Sequence, residues 1–366
     1  MTTHVHQFLC LEDNYGVLIH DSGTGATAAI DAPDANAVIA AAQSQGWKLT
    51  DLLITHHHAD HTQGIPGLKA RYPDLRIVGP AKEASRIASL DVQVKEGAYA
   101  HVGDLEAKVI ETPGHTAGHI AYWFEQDEIA FCGDTLFALG CGRVFETPMS
   151  VMWDSLVKLA ALPGETAVYC GHEYTAANAK FALTIEPDNG LLRDRAERIA
   201  ALRASGKPTV PTTIYLELAT NPFLRAEQST VQASVGMRGA DPASVFAEIR
   251  GRIPAASFVI VPSSNRLVSA YAAVPAGTRI AFIHTSKLRV FSTNSLETTR
   301  IFAFSKNETS SSANNANACE ASRAFSIRVC NSRSLPSRAT ISAIATRPPT
   351  RTTRANSAIT RAGCSM

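Results

Sequence analysis

The chain has 366 residues, 45% of them hydrophobic, and no apolar run long enough to cross a bilayer, so it reads as a globular chain of two or three domains with no membrane partner. Its net charge of +1 hides an asymmetry: residues 1–254 carry 20 Lys and Arg against 30 Asp and Glu, whereas residues 255–366 carry 14 against 3 Glu and no Asp. An acidic body of this kind excludes a nucleic-acid partner as the first expectation.

In chain order, Met1-Thr2-Thr3-His4-Val5-His6 lacks the basic-then-apolar order of a secretory signal, which makes the cytoplasm the expected compartment. The seven cysteines are irregularly spaced, with no CxxC pair, and read as free thiols. Phe8–Leu11, Gly16–Ile19 and Ala28–Asp31 read as short strands, with Asp21-Ser22-Gly23-Thr24-Gly25 as a turn. Asp34 caps a helix running to Gln45, with Val38, Ile39 and Ala42 on one face and Gly46 as its stop. The strand Leu52–Thr55 then runs into Thr55-His56-His57-His58-Ala59-Asp60-His61, followed by loop chemistry over Thr62–Gly67. Further strands are expected at Arg76–Gly79, Leu105–Thr112, Ile120–Phe124, Ile129–Cys132 and Ala167–Cys170, with a helix over Met149–Leu162. From Thr175 the strand signal fades, and Ala176–Ile185, Leu191–Ala204 and Pro242–Ile253 read as helices of a small domain, broken by Asn221-Pro222-Phe223. The expected division is therefore 1–174, 175–254 and 255–366. In the last segment Ser and Thr make up 31 of 112 residues, which predicts a disordered, low-complexity basic tail. Its abrupt change of composition and charge suggests an out-of-frame or read-through extension.

The histidine stretch carries the chemistry. Imidazole and carboxylate suit zinc, iron and manganese. In extended backbone His56 and His58 point to one side and His57 to the other, while Asp60 and His61, past a bend, can face a second position. A solvent-exposed polyhistidine remnant is the plain alternative, but such remnants sit at termini without a preceding strand. Four strand ends deliver His or Asp: residues 56–61, His115 in Pro113-Gly114-His115-Thr116-Ala117-Gly118-His119, Asp134 in Gly133-Asp134-Thr135, and His172 in Gly171-His172-Glu173-Tyr174. Strand ends from one sheet share an edge, so these residues are expected to converge.

This order of motifs resembles the metallo-β-lactamase superfamily. Gly140-Cys141-Gly142-Arg143-Val144-Phe145-Glu146, Gly171-His172-Glu173-Tyr174-Thr175 and Asn221-Pro222-Phe223-Leu224-Arg225 narrow the resemblance to glyoxalase II, the hydroxyacylglutathione hydrolases, over residues 4–252. The resemblance implies an α/β fold, the αββα sandwich with a small C-terminal helical domain; a monomer is the expected state. It implies that His56, His58 and His115 hold one divalent metal ion, that Asp60, His61 and His172 hold another, and that Asp134 bridges the two. Zinc is the first expectation, with iron and manganese as alternatives. His57 is expected to be a non-ligand, and His119 to support the site without ligating. His4, His6, His20 and His101 read as surface or satisfied core residues. Arg143, Phe145, Tyr174 and Arg250 match the positions that hold glutathione. Phe145 stands where many members carry tyrosine, and Ile253 stands where the family's Arg-x-x-Lys has lysine.

The implied reaction is hydrolysis of the thioester S-D-lactoylglutathione to D-lactate and glutathione, a step of methylglyoxal detoxification. Two divalent ions sharing a water would lower its pKa and polarise the carbonyl, with Asp60 and Asp134 as the catalytic carboxylates. A mono-iron persulfide dioxygenase of the same superfamily is the runner-up, and it does not need both Asp60 and His61 at a second site. A metal-binding protein that has lost turnover is the non-enzyme alternative.

Overall fold

Alternation of apolar residues on short strands builds two sheets in this computed structural model, which describes residues 3–253 throughout. The first sheet runs in chain order: β1 (Thr3–Cys10), β2 (Asn14–Asp21), β3 (Thr27–Ile30), β4 (Asp51–Leu53), β5 (Arg76–Pro80) and β6 (Val92–Val94). Its β1–β3 half is antiparallel and its β3–β6 half parallel. The connections include α1 (Ala35–Ser44), the short turn α2 (Ala59–Thr62) and α3 (Ile65–Arg71). The second sheet uses β7 (Tyr99–Val102), β8 (Leu105–Glu111), β9 (Ile120–Phe124), β10 (Ile129–Phe131), β13 (Ala167–Tyr169) and β14 (Thr212–Thr213), in the order β14-β13-β10-β9-β8-β7. Between β10 and β13 lie the hairpin β11 (Leu136–Phe137) with β12 (Gly140–Cys141), and the helix α4 (Met149–Ala160).

The alternation sorts side chains into layers. Val17, Ile19, Ala28, Ile30 and Leu53 face the second sheet and pack on Val109, Ile120, Tyr122, Phe124 and Phe131. Their neighbours Leu18, Ala29, Leu52 and Ile54 face outward onto Val38, Ala42, Ile65 and Leu68. Burial on both faces is why the central strands read as continuous apolar runs. On the far side, Ile110, Ala121 and Val168 pack under α4, through Met152, Leu156 and Leu159, and under α9 (Pro242–Gly251), through Val245, Phe246 and Ile249. Helix, sheet, sheet, helix is the αββα order expected.

The remaining helices are α5 (Thr175–Ile185), α6 (Gly190–Ala204), α7 (Ile214–Thr220) and α8 (Ser229–Ser234). A buried polar knot joins them to the hairpin. Arg195 on α6 pairs with Glu217 on α7, and Glu217 also accepts from Leu139 N. Asn221, the residue that breaks the chain after α7, donates to Glu217 and to the carbonyls of Phe137 and Gly140.

Asp34 caps α1 as the sequence indicates, accepting from Ala37 N at 2.8 Å. The loop expected over Thr62–Gly67 is a correction: α3 starts at Ile65, because Pro66 falls in the first helical turn, where its missing N–H costs nothing. Residues Met1–Ile253 form one unit and Pro254–Met366 another. Of the second unit only short strands are described, chiefly the hairpin Ser257–Ser263 with Arg266–Ala272. The expectation of a disordered or out-of-frame tail otherwise lies outside the described residues.

Candidate metal centre

The four strand ends do converge, but across two sheets rather than along one edge. β4 of the first sheet delivers residues 56–61; β8, β10 and β13 of the second deliver His115, Asp134 and His172. Ile120 N donates to Thr55 O at 3.0 Å, which stitches the two sheets where the loops depart.

Two groups of donors form. His56, His58 and His115 make the first, and Asp60, His61 and His172 the second. In the first, His58 Nδ1 lies 3.1 Å from His56 Nε2 and 2.9 Å from His115 Nε2. One ring nitrogen has a single in-plane site, so it cannot hydrogen-bond both partners. Ligands bonded at about 2.0–2.1 Å at the corners of a tetrahedron stand about 3.3 Å apart, close to the spacing seen. In the second, His172 Nε2 is 3.4 Å from both Asp60 Oδ2 and Asp134 Oδ2, and His61 Nε2 is 3.5 Å from Asp60 Oδ2. Asp134 stands between the groups, its Oδ2 also 3.4 Å from His115 Nε2.

The test of fit lies in two orphaned atoms. His61 Nε2 and Asp134 Oδ1 are buried without a hydrogen-bond partner, 3.6 Å apart. A buried polar atom left unmatched is costly, and a shared cation would remove the cost at both atoms. The donor set therefore suits divalent metal ions. A third trio, Asp31, His56 and His61, is also within ligand reach of itself, but Asp31 and the Nδ1 atoms of both rings are already engaged. Asp31 accepts from Thr55 N at 2.7 Å and Thr55 Oγ1 at 2.8 Å, and lies 2.8 Å from His61 Nδ1. Thr55 Oγ1 in turn sits 3.0 Å from His56 Nδ1.

Asp31 is thus an orienting carboxylate, turning Nε2 of two rings inward. Asp13 does the same for His172, 2.9 Å from Nδ1, and the Arg143 carbonyl for His115, accepting from Nδ1 at 2.9 Å. Asn14 holds Asp60 through its backbone and side-chain oxygens. His119 accepts from Asp134 N at 3.1 Å, which leaves its proton on Nδ1, facing Thr112 Oγ1 at 2.9 Å. It supports the centre, as expected. His57 is turned away onto Glu83. His20 stacks on Trp47 with ring centroids 4.5 Å apart, and His4 and His101 are exposed. Asp31, Asp13, Asn14 and Glu83 were not singled out from sequence. Asp31 had the same signal as the ligands, an acid at a strand end; the others had none.

Burial, with help from neighbouring rings, holds His56 well below the usual histidine range and His58 down at about 4; burial also lowers His115. These rings are neutral at pH 7, the state that binds metal. Burial opposes charge on His61 too, but Asp134 and Asp31 outweigh it and raise that ring to about 10. Asp134 and Asp13 likewise raise His172 against its burial. Asp134 is held well below the usual carboxylate range despite burial, by His172 and His61.

The glycines of the motifs give the site its density. A Cβ on Gly171 would collide with Asp134 Oδ1 and stand 2.9 Å from His61 Cε1. Gly133 takes a φ of +46° directly before Asp134. Around the centre, Phe145 is 60% exposed with its ring 5.3 Å from that of His115 and 6.1 Å from that of His58. Tyr174 stacks flat on His172 at 4.8 Å. Arg250 donates to the carbonyl of Gly142, beside Arg143.

The sandwich and its histidine-aspartate cluster define a member of the metallo-β-lactamase superfamily, whose family model matches residues 8–172. The model for the hydroxyacylglutathione hydrolase C-terminus matches residues 173–252. Curated hydroxyacylglutathione hydrolases from Rhodopseudomonas palustris (strain BisA53) and Chelativorans sp. (strain BNC1) are each 54% identical over 252 residues, which is 69% of this chain and 98% of theirs. The chain belongs to the hydroxyacylglutathione hydrolase family. Among solved structures, ETHE1 from Myxococcus xanthus is similar with a TM-score of 0.50 and 27% identity, over 68% of this chain and 91% of that one.

Proposed function

We propose that the protein hydrolyses S-D-lactoylglutathione, and related 2-hydroxyacylglutathiones, to the hydroxy acid and glutathione. The observation that carries this is the pair of donor groups meeting at Asp134, with two buried atoms that have no hydrogen-bond partner. His56, His58 and His115 would hold one divalent ion, Asp60, His61 and His172 the second, and Asp134 both. Zinc is the first assignment, with iron or manganese as alternatives. When bound, such ions lower the pKa of water towards neutrality and polarise a carbonyl.

The chain's own residues do the rest. Asp31, Asp13 and Asn14 fix the donors, so no reorganisation is needed during reaction. Phe145 and Tyr174 offer ring surface over the two donor groups. Arg143 and Arg250 place positive charge nearby for the glutathione carboxylates. The leaving group is a thiol with a pKa near about 8.5, so it departs as thiolate without a strong general acid. The persulfide dioxygenase reading leaves the second donor group without a role. We place the enzyme in the cytoplasm as a monomer built of a catalytic domain over 1–174 and a substrate domain over 175–254; no described helix is long and apolar enough to cross a membrane.

Metal analysis together with thiol release from S-D-lactoylglutathione tests the assignment on the full chain. Two ions and turnover support it. A single iron with oxygen consumption on glutathione persulfide overturns it.

A further inference from the structure

The fourth histidine of the cluster has no place among the donors, and its partner comes from a part of the chain with no motif. Glu83 follows β5 in a single turn of 3-10 helix, Ala81–Glu83, and is 2% exposed. Its Oε2 accepts from His57 N at 2.7 Å and lies 2.8 Å from His57 Nδ1. Its Oε1 accepts from Gly118 N at 3.0 Å and from the hydroxyl of Thr116. A carboxylate has about four lone-pair positions, and here all four face donors.

The two oxygens serve different loops. His57 lies between the donors His56 and His58, on the loop leaving the first sheet. Thr116 and Gly118 follow His115, on the loop leaving the second sheet. Gly118 has no side chain for a reason: a Cβ there would stand 2.5 Å from Glu83 Cγ. Glu146 extends the contact outward: its Oε2 accepts from Ala117 N at 2.9 Å, and its Oε1 lies 3.9 Å from His57 Nε2 and accepts from Arg86 at 2.6 Å. The first donor trio is drawn from both sheets, so its spacing depends on how these loops are held to one another.

We propose that Glu83 is a positioning residue: by gripping His57 with one oxygen and the Thr116–Gly118 turn with the other, it sets the distance between His56 and His58 on one side and His115 on the other. This rests on the reading of those three rings as one metal site. The role of His57 is then to donate hydrogen bonds from its Nδ1–H and its backbone N–H to this carboxylate.

Isosteric variants separate position from bulk. Glu83→Gln keeps the shape, but one of its two terminal atoms is an NH2, which leaves the Gly118 or the His57 N–H facing another donor. His57→Leu removes the ring donor while keeping the Glu83 charge. His57→Asn restores a donor near the place of Nδ1. Each protein is loaded with Zn2+, dialysed against graded chelator, and the ions per chain are counted. The wild type retains two. Glu83→Gln and His57→Leu release one ion at about 10–100-fold lower chelator and keep the other, the scale seen when partners of metal ligands are removed. His57→Asn stays near the wild type. In parallel, kcat of Glu83→Gln falls, is restored by added Zn2+, and KM is unchanged.

Retention of both ions by Glu83→Gln at wild-type affinity overturns the proposal. So does loss of both ions together with a lowered melting temperature, the mark of a merely structural residue. A wild type that binds no ion overturns the metal-site reading and the proposal with it; a wild type that binds a single ion, with Glu83→Gln still weakening it, overturns only the two-ion assignment.

Discussion

Replacing Glu217 by leucine should come close to unfolding the protein. The residue is fully buried (0% exposed), and Arg195 beside it is 6% exposed. Glu217 Oε1 accepts from Arg195 Nη2 at 2.5 Å and Thr212 Oγ1 at 2.6 Å; Oε2 accepts from Leu139 N and Asn221 Nδ2, both at 2.9 Å. In Glu217→Leu the guanidinium keeps Thr212, Thr220 and the Leu216 carbonyl but has no counter-charge. Breaking a buried pair from one side costs about 3–5 kcal/mol. Leu139 N, buried with its residue at φ +58°, loses its acceptor, which adds about 1–3 kcal/mol. The contributions overlap, so a loss of about 4–6 kcal/mol is expected, against a total stability on the order of 5–15 kcal/mol. With a urea slope of about 3 kcal/mol/M, the midpoint falls by roughly 1.3–2 M. The double variant Arg195→Met with Glu217→Leu removes both charges and should regain at least about 2 kcal/mol over the single one. A single variant losing less than about 1.5 kcal/mol, or a double variant no more stable than the single, refutes the assignment of the loss to an uncompensated charge.

Asp31→Asn should weaken metal binding by about 10–100-fold, because an amide cannot accept from Thr55 N and Thr55 Oγ1 and also receive the His61 proton; competition with a chromogenic chelator reads it. His61 is raised to about 10, and His172 is raised too, by carboxylates that a bound cation would neutralise. Filling the second donor group at pH 7 should therefore release protons, and affinity should fall as pH falls; calorimetry in two buffers of different ionisation enthalpy counts them, with no release as the contrary result. Asp21 takes donors from Thr24, Asp104 and Gly23 and is lowered to about 2. A depressed carboxylate stabilises the fold above its ordinary pKa and loses that contribution as pH falls through the folded value. Asp21→Asn should thus be destabilising at pH 7 and nearly neutral at pH 2 in urea titrations. The thiols of Cys141 and Cys170, pushed up to about 12 by burial, should react with a disulfide reagent only when the protein unfolds.

The parts of the fold that were legible are those whose local pattern and tertiary role agree. β4, β9 and β13 are apolar runs because both faces are covered, and α1 carries its own cap and stop. β6 and β7 were not legible, since Val92, Gln93, Tyr99 and His101 face solvent on edge strands and leave no apolar run. The seven expected donors were legible through residue type and position at strand ends, and the structure brings all seven together; that they come from two sheets was not, because strand order is a tertiary property. Glu83 illustrates the limit. Nothing near it in sequence marks it, since its donors lie 26 to 35 residues away.

Drawing donors from both halves of the sandwich also orders events in time. During synthesis the histidine run at 56–61 emerges long before β13, and before His172 can reach it. A nascent chain therefore offers incoming ions only loose, partial coordination. Full occupancy marks a chain whose two halves have already docked, so metal loading serves as a readout of completed folding.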